Sequence, residues 1–311
     1  MTSEASLLDQ LRTLATNPAA RGLADDVALL GDLVLTHDTV VEGVHYLPSD
    51  PPESVGWKLG AVNLSDLAAK GAAPVGALLS LSIGHDPGWE ERFLAGLAQL
   101  CEHYRLPLLG GDTVALPAGA PRVLGLTAIG RAAAAVPSRS GGRPGDRLWL
   151  VGTVGDSAAG LACLLADRAA TGLLVDIYRR PIPLLDLGAS FAPHATATMD
   201  VSDGLLLDSW RLARASGCGL HLDLASLPLS SAFVAERGQD RAARLFAATG
   251  GDDYALLVAL PPAVDGLTLW QGEPVRITPV GELVDNGVFT LVDDLGPVPL
   301  PERLGYEHHP S

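Results

Sequence analysis

Residues 63–72 read NLSDLAAKGA, and this stretch sets the terms for the rest of the chain. Leu59, Val62, Leu64, Leu67 and Ala68 surround Asp66 at helical offsets. An ionised aspartate is rarely buried unless it is paired or bound to metal. Asp66, with Asn63 and Ser65 beside it, therefore calls for a partner, and the reading adopted is a cation. The helix carrying it should begin near Ser49 or Asp50, either of which can cap it, with Pro51 or Pro52 in its first turn. Gly71 followed by Pro74 stops it. Residues 76–83 then read as a strand, so a helix feeds a sheet at the centre of the first half.

The chain has 311 residues, which suggests two domains at about 100–200 residues each. Hydrophobic residues make up 48% of it, enough for sizeable cores, but no run approaches the roughly 20 residues a membrane span needs. The N-terminal segment lacks a basic region before its apolar residues, so no signal peptide is expected and the location expected is cytoplasmic. A net charge of -15 argues against binding nucleic acid or anionic lipid. It also poses a difficulty for handling phosphates, which bound divalent cations would resolve. Cys101, Cys163 and Cys218 are scattered and odd in number, and read as buried free thiols. Lys58 and Lys70 are the only lysines.

Working outward, residues 24–38 carry two apolar runs around Gly31-Asp32, a hairpin signal whose open ends place Asp26 near Asp38. Asp32 reads as a solvated turn residue. Residues 40–46 read as a third strand ending near His45. A helix should start at Asp86-Pro87 with Phe93, Leu94, Leu97, Leu100 and Cys101 on one face. Residues 107–109 read as a short buried strand delivering Gly110-Gly111-Asp112-Thr113, and 123–129 as another strand. Residues 132–146 are small, Pro- and Gly-rich and aperiodic, so the junction is placed there, giving units 1–137 and 138–311. The second half restarts with a strand at 147–151 and a glycine-rich turn, GTVGDSAAGLA, into a helix that Asp156 or Ser157 could cap. That turn lacks the lysine of a Walker A loop and reads as a tight strand–helix connection. Strands at 197–201, 219–224, 254–260, 275–280 and 287–292 and helices at 205–216 and 241–248 follow. Hairpins beside crossovers predict an α/β (α+β) class with two mixed sheets, each packed by helices.

Asp26, Asp38, Asp66, Asp112, Asp200 and Asp203 each lie at a strand end or in an apolar or glycine-rich setting. Magnesium prefers oxygen ligands, commonly a carboxylate or two with water and phosphate, so several carboxylates suit several ions. Taken in order, ADDVALL, THDTVVEGVHYLP, GWKLGAVNLSDLAAKGAAP, LLGGDT, RSGGRPGD, VGTVGDSAAGLA, MDVSDGLLLD and GGDDYALL resemble the thiamine-monophosphate kinase family, within the wider group related to aminoimidazole-ribotide synthase. The resemblance implies ATP-dependent phosphorylation of thiamine monophosphate to thiamine diphosphate with two or more Mg2+ ions. It also implies a homodimer binding ATP across its interface. By the same resemblance Asp26, Asp38, Asp66, Asp112, Asp200 and Asp203 hold magnesium, and Thr36 and His37 lie beside the metals. Gly111, Asp112, Arg139 and Ser202 contact the nucleotide. His45, Asp252 and Tyr306 contact the thiamine substrate.

The chain departs from the family pattern in places. His37 stands where Thr or Ser is usual, Val114-Ala115 replace a segment that carries an Arg, and Asp252 is one methylene shorter than the usual Glu. None of these removes a principal carboxylate. The residues themselves leave other roles open: Asp203 could cap the helix at 204, His45 could be a satisfied strand-end histidine, and Arg139 a surface linker residue. Another ATP-using enzyme of the same group, or a nucleotide-binding relative without turnover, are the alternatives. The chemistry favours the kinase. A phosphate monoester is largely dianionic near neutral pH, so no general base is required. The obstacle is repulsion, roughly 4 kcal/mol per pair of like charges at about 4 Å and an effective dielectric of 20. Metal ions between phosphates remove it.

Overall fold

Gly31-Asp32 turns the chain as expected. β1 (Ala28–Leu30) and β2 (Leu33–Val41) pair antiparallel with Leu30 opposite Leu33, and Gly31 takes φ +65°. That left-handed backbone is what a two-residue hairpin loop requires. Asp32 sits in solvent, paired with Arg131 at 2.7 Å. The computed structural model describes residues 4–133 and 135–307.

After the short helix α1 (Glu4–Leu14), the first sheet is completed by β3 (Ala72–Ile83), β4 (Leu108–Ala115) and β5 (Val123–Ala132), in the order β1-β2-β5-β3-β4. Helices α2 (Pro52–Ala69) and α3 (Trp89–Tyr104) cover one face. Leu59, Leu64, Leu67, Phe93, Leu97 and Leu100 from the helices meet Val34, Val40, Leu124 and Leu126 from the strands in one core. Residues 40–46 do not form a separate strand. β2 absorbs the first two, and the next residues bend into a turn closed by the Gly43 N–H donating to Tyr46 O at 2.9 Å. Neither Ser49 nor Asp50 caps α2. Its N-cap is Pro51, and Asp50 instead accepts the Leu47 N–H and pairs with Arg179. Leu94 lies outside the buried stripe of α3.

β4 overturns a local expectation. It is an edge strand exposed along all eight residues, with Leu108, Leu109 and Val114 open to solvent. Apolar residues signal burial but not by what, and no described element covers these.

The second sheet runs β12-β11-β8-β10-β6-β9-β7. Its strands are β6 (Arg147–Val151), β7 (Ala197–Val201), β8 (Gly219–Asp223), β9 (Ala255–Leu260), β10 (Ile277–Val284), β11 (Phe289–Asp293) and β12 (Gly296–Val298). β8 and β11 pair parallel and the others antiparallel, so both sheets are mixed with packed helices. The helices are α4 (Asp156–Ala166), α5 (Leu173–Arg179), α6 (Leu185–Phe191), α7 (Leu205–Ala215), α8 (Ser231–Arg237) and α9 (Arg241–Thr249). No helix among the described residues is long and apolar enough to cross a membrane.

α2 belongs to both halves. Ala68 and Ala69 at its end pack with Trp149, Val151, Leu187, Phe191 and Leu256. Gly188 of α6 comes so close that a Cβ there would meet Ala68 O at 1.8 Å, so only glycine fits. Thr198 Oγ1 donates to Ala69 O, and Lys70 Nζ donates to Thr198 O at 2.8 Å. The first satisfies a carbonyl at the helix end, the second one on β7, and together they lock the helix against that strand.

Candidate active site

Lys58, Val62 and Asp66 stand at i, i+4 and i+8 on α2, hence on one helical stripe, and all three line a cavity of about 380 Å³ between the two sheets. The stripe runs from the Lys58 amine through an apolar residue to the Asp66 carboxyl group. At 1.5 Å per residue its ends are about 12 Å apart along the axis.

The Asp66 end gathers carboxylates from separate elements. Asp26 precedes β1, Asp66 is on α2 and Asp200 is on β7, and one oxygen of each lies within 4.8 Å of the others. Asp38 on β2 adjoins them and lines the same cavity. Thr36 Oγ1 donates a short hydrogen bond to Asp66 Oδ2, and Ser65 Oγ donates to Asp200 Oδ2 at 2.6 Å. Burial, and then the neighbouring carboxylates, push Asp66 and Asp200 well above the usual carboxylate range. Burial likewise pushes Asp38 up to about 6, against the pull of His37. Burial alone would raise Asp26 too, but Lys70 and Arg139 outweigh it and hold that group at about 2. Fully ionised, the buried cluster would carry more negative charge than its own cations balance, so without a further cation its raised acids hold their protons. Convergent oxygens with surplus charge fit a hard divalent cation.

Lys70 was not singled out from the sequence. It is fully buried, with Nζ 2.6 Å from both Asp25 Oδ1 and Asp26 Oδ2. Arg139 also pairs with Asp26 and is largely covered, so it is no surface linker residue. Its guanidinium is engaged with the cluster here.

The second half supplies Ser202 and Asp203, which line the cavity after β7. Asp203 does not cap α7, whose N-cap is Gly204 without a side-chain bond. Asp208, one turn into the helix and wholly buried, reaches back instead. Its Oδ2 accepts the Ser202 and Asp203 N–H groups at 3.1 and 2.9 Å. Burial and Asp203 push Asp208 up to about 7, despite Arg211. Arg211 bridges Asp203 and Asp208.

At the other end of the stripe, Lys58 Nζ lies 2.6 Å from Asp252 Oδ2, donates to His45 O at 3.0 Å and sits 4.2 Å from the centre of the Tyr178 ring. Tyr254 OH donates to the other Asp252 oxygen. His45 Nδ1 accepts the Val41 N–H at 3.0 Å, which leaves Nε2 to carry the proton of the neutral ring. Tyr306 lines the same cavity, its N–H donating to Asp203 O. His45, Asp252 and Tyr306 thus share one wall system with the acid cluster.

Three of the expected positions do not join it. His37 is exposed and points its imidazole at Thr127, whereas Thr36 turns inward to Asp66. Successive strand residues face opposite sides, so the two side chains cannot serve one site. Gly111 and Asp112 lie on β4, three strand spacings or about 14 Å from β2. Strand pairing puts Asp112 in a row with Ser80, Gly125 and Thr39, while Asp38 shares the next row with Leu126, Leu79 and Gly111. Adjacent rows face opposite ways, so Asp38 and Asp112 of one chain cannot hold one ion between them.

The glycine-rich turn before α4 is occupied by the chain itself. Neither Asp156 nor Ser157 caps the helix; both Asp253 oxygens accept the Gly155 N–H, at 2.9 and 3.0 Å. A carboxylate sits where a phosphate would have to bind. Asp253→Ala should leave this buried N–H without an acceptor and cost about 1–3 kcal/mol of stability, measured by urea unfolding. An unchanged midpoint would remove Asp253 as the anchor of this turn.

Residues 24–132 match the family described as AIR synthase related protein, N-terminal domain, and residues 143–294 match the corresponding C-terminal domain. The chain is 38% identical to the thiamine-monophosphate kinase of Caulobacter vibrioides, over 94% of this chain and 86% of that one. It is 37% identical to that of Escherichia coli K12, over 92% and 91%. Among solved structures, that of the Aquifex aeolicus thiamine monophosphate kinase superposes with a TM-score of 0.79 at 30% identity, covering 94% and 97%. Another, described as AaThiL complexed with AMPPCP and TMP, superposes with a TM-score of 0.84 at 30% identity, covering 99% and 97%. With two convergent carboxylate-bearing halves and this degree of likeness along nearly its whole length, the chain belongs to the thiamine-monophosphate kinase family.

Proposed function

We propose that this protein transfers the γ-phosphoryl group of ATP to the phosphate of thiamine monophosphate, giving thiamine diphosphate and ADP. The observation that carries the reading is the meeting of Asp26, Asp66 and Asp200 at one end of a cavity whose other end is walled by Tyr178, His45 and Asp252. A phosphate oxygen of the acceptor forms the new bond to phosphorus as the bond from that phosphorus to the ADP oxygen breaks. The acceptor oxygen is already ionised, which agrees with the absence of a nucleophile–base pair among the described cavity residues.

Asp26, Asp38, Asp66, Asp200 and Asp203 would hold magnesium. When bound there, magnesium supplies the positive charge that lets two polyanions approach. Thr36 and Ser65 fix Asp66 and Asp200 in place through hydroxyl donors. Arg139 would turn from Asp26 to the nucleotide phosphates, a task its planar fork suits, with Ser202 alongside. His45, Asp252 and Tyr306 would contact thiamine.

The assembly we propose is a homodimer built on the open face and edge of the first sheet, where Leu108, Leu109 and Val114 of β4 lie exposed. An exposed, apolar edge strand is otherwise an aggregation hazard. Gly111 and Asp112 would then face the neighbouring copy's nucleotide, which reconciles their distance from the acid cluster of their own chain. We place the division of labour at 1–137 for ATP, magnesium and dimerisation and 138–311 for completing the site. Three unpaired thiols favour a cytoplasmic location.

The test is incubation with ATP, magnesium and thiamine monophosphate, following thiamine diphosphate and ADP together. Equal amounts of both are expected. ADP alone would point to a different acceptor, and ATP binding without either product would favour a relative lacking turnover.

A further inference from the structure

One ammonium group ties the two halves of the chain together at the cavity. Lys58 is 2% exposed, and its Nζ meets partners from three places: Asp252 Oδ2 in the loop before β9, His45 O in the turn after β2, and the face of the Tyr178 ring on α5. An ammonium has three donors, and these contacts use it fully. The Asp252 side chain differs, being 28% exposed on the cavity. Among the described residues its oxygens accept from Lys58 Nζ and Tyr254 OH, whereas a carboxylate can take about four such bonds. Its backbone is pinned in an uncommon shape. Asp252 takes φ +65° and Tyr254 φ +53°, and their N–H groups donate to Ser202 O and Val201 O, both at 2.8 Å. Left-handed backbone at residues other than glycine persists only where the surroundings fix it, and such residues cluster at ligand sites.

We propose that Lys58 is a positioning residue for substrate recognition: by holding His45 and Asp252 on one ammonium, it aims the open edge of the Asp252 carboxylate at an N–H donor on the rim of the substrate's heterocycle. The inference rests on the reaction proposed above and names what sets the geometry of its ring-binding end. His45 and Asp252 both stand on loops, and Lys58 is rooted in the middle of α2, so the helix is the fixed point to which they are referred. A comparison with Lys70 separates this role from simple bracing. Lys70 closes its carboxylates off, leaving the Asp25 and Asp26 side chains 1% and 4% exposed, whereas the carboxylate on Lys58 stays open to the cavity. The group it takes is an amino group, since an ionised carboxylate only accepts hydrogen bonds. Val62 and Tyr178 line the cavity beside it and offer apolar contact to a flat ring.

Lys58→Met keeps the length of the side chain and removes its donors. Its dissociation constant for thiamine monophosphate, measured by calorimetry without ATP, should rise about tenfold, while the KM for ATP stays within about twofold. Lys58→Arg, which keeps charge and donors, should recover most of the affinity. Asp252→Asn should weaken binding by a similar factor. Joining Lys58→Met to it should add less than about twofold to that loss, because Lys58 acts through the carboxylate. An analogue with the pyrimidine amino group replaced by an oxo group should lose affinity for the wild type and much less for Lys58→Met. If the wild type binds thiamine monophosphate and Lys58→Met binds it equally well, or if the losses of the two single variants multiply in full, the inference is overturned. Should Lys58→Met not fold, Lys58→Gln takes its place with the same expectations; if neither folds, Lys58 is structural and the inference is likewise overturned. Failure of the wild type to bind at all would instead take down the functional reading beneath it.

Discussion

Asp66→Asn should cut turnover by about a thousandfold or more while the protein stays folded. The side chain keeps its shape, and its carbonyl oxygen can still accept from Thr36. What disappears is a carboxyl group able to give a metal an anionic ligand, in a cluster where burial and the charges of Asp38, Asp200 and Asp26 oppose its ionisation without one. Two consequences follow with opposite signs. Without metal at pH 8 the variant should melt above the wild type, because an acid that ionises freely in the unfolded chain but not in the fold is gone. With magnesium the order should reverse, because only the wild type keeps the full ligand set. Turnover near the wild-type rate would move the centre of the metal site elsewhere.

The second large effect is on stability against pH. Asp38 is raised to about 6 and Asp208 to about 7, and Asp66 and Asp200 are raised well above the usual carboxylate range, with burial the leading cause in each. An acid whose pKa is higher folded than unfolded stabilises the fold while protonated. That contribution is complete below about pH 4 and is lost as pH climbs through 6 and 7. Asp26, held at about 2 by Lys70 and Arg139, acts in the opposite sense, but its loss falls below pH 4, outside this window. The metal-free protein should therefore melt at least about 5 °C higher at pH 5.5 than at pH 8. Millimolar magnesium should raise the pH 8 value and flatten the profile, because cations and protons answer the same surplus charge. Potassium chloride of equal ionic strength should not, since screening reaches buried pairs weakly. A metal-free melting temperature that is level or rising from pH 5.5 to 8 would contradict the charge state described for the cluster.

Much of this arrangement was legible from local chemistry. A carboxylate inside an apolar helix announced Asp66, and strand ends announced Asp26, Asp38 and Asp200. What escaped reading depended on partners distant in sequence. Lys70 and Lys58 are the only lysines in a chain that otherwise uses arginine, and both sit buried on carboxylates of the site. Their rarity was visible, but the carboxylate that each meets was not. Asp208 looked like an ordinary helical residue because the N–H groups it accepts lie upstream of its helix. Alternation along β2 separates Thr36 from His37, yet only the covering helix α2 decides which of them faces the acids. β4 misled for a related reason: its leucines call for cover, and the source of that cover cannot be read from one chain.

The stripe on α2 has a bearing on selectivity. Lys58 and Asp66 ride on the same uninterrupted helix, whose far end is clamped by Gly188, Thr198 and Lys70. Such a caliper cannot be reset by loop motion. On the binding mode proposed above, phosphorylated rings with a shorter tether would fail to reach both ends of the stripe and should bind more weakly whatever their ring atoms.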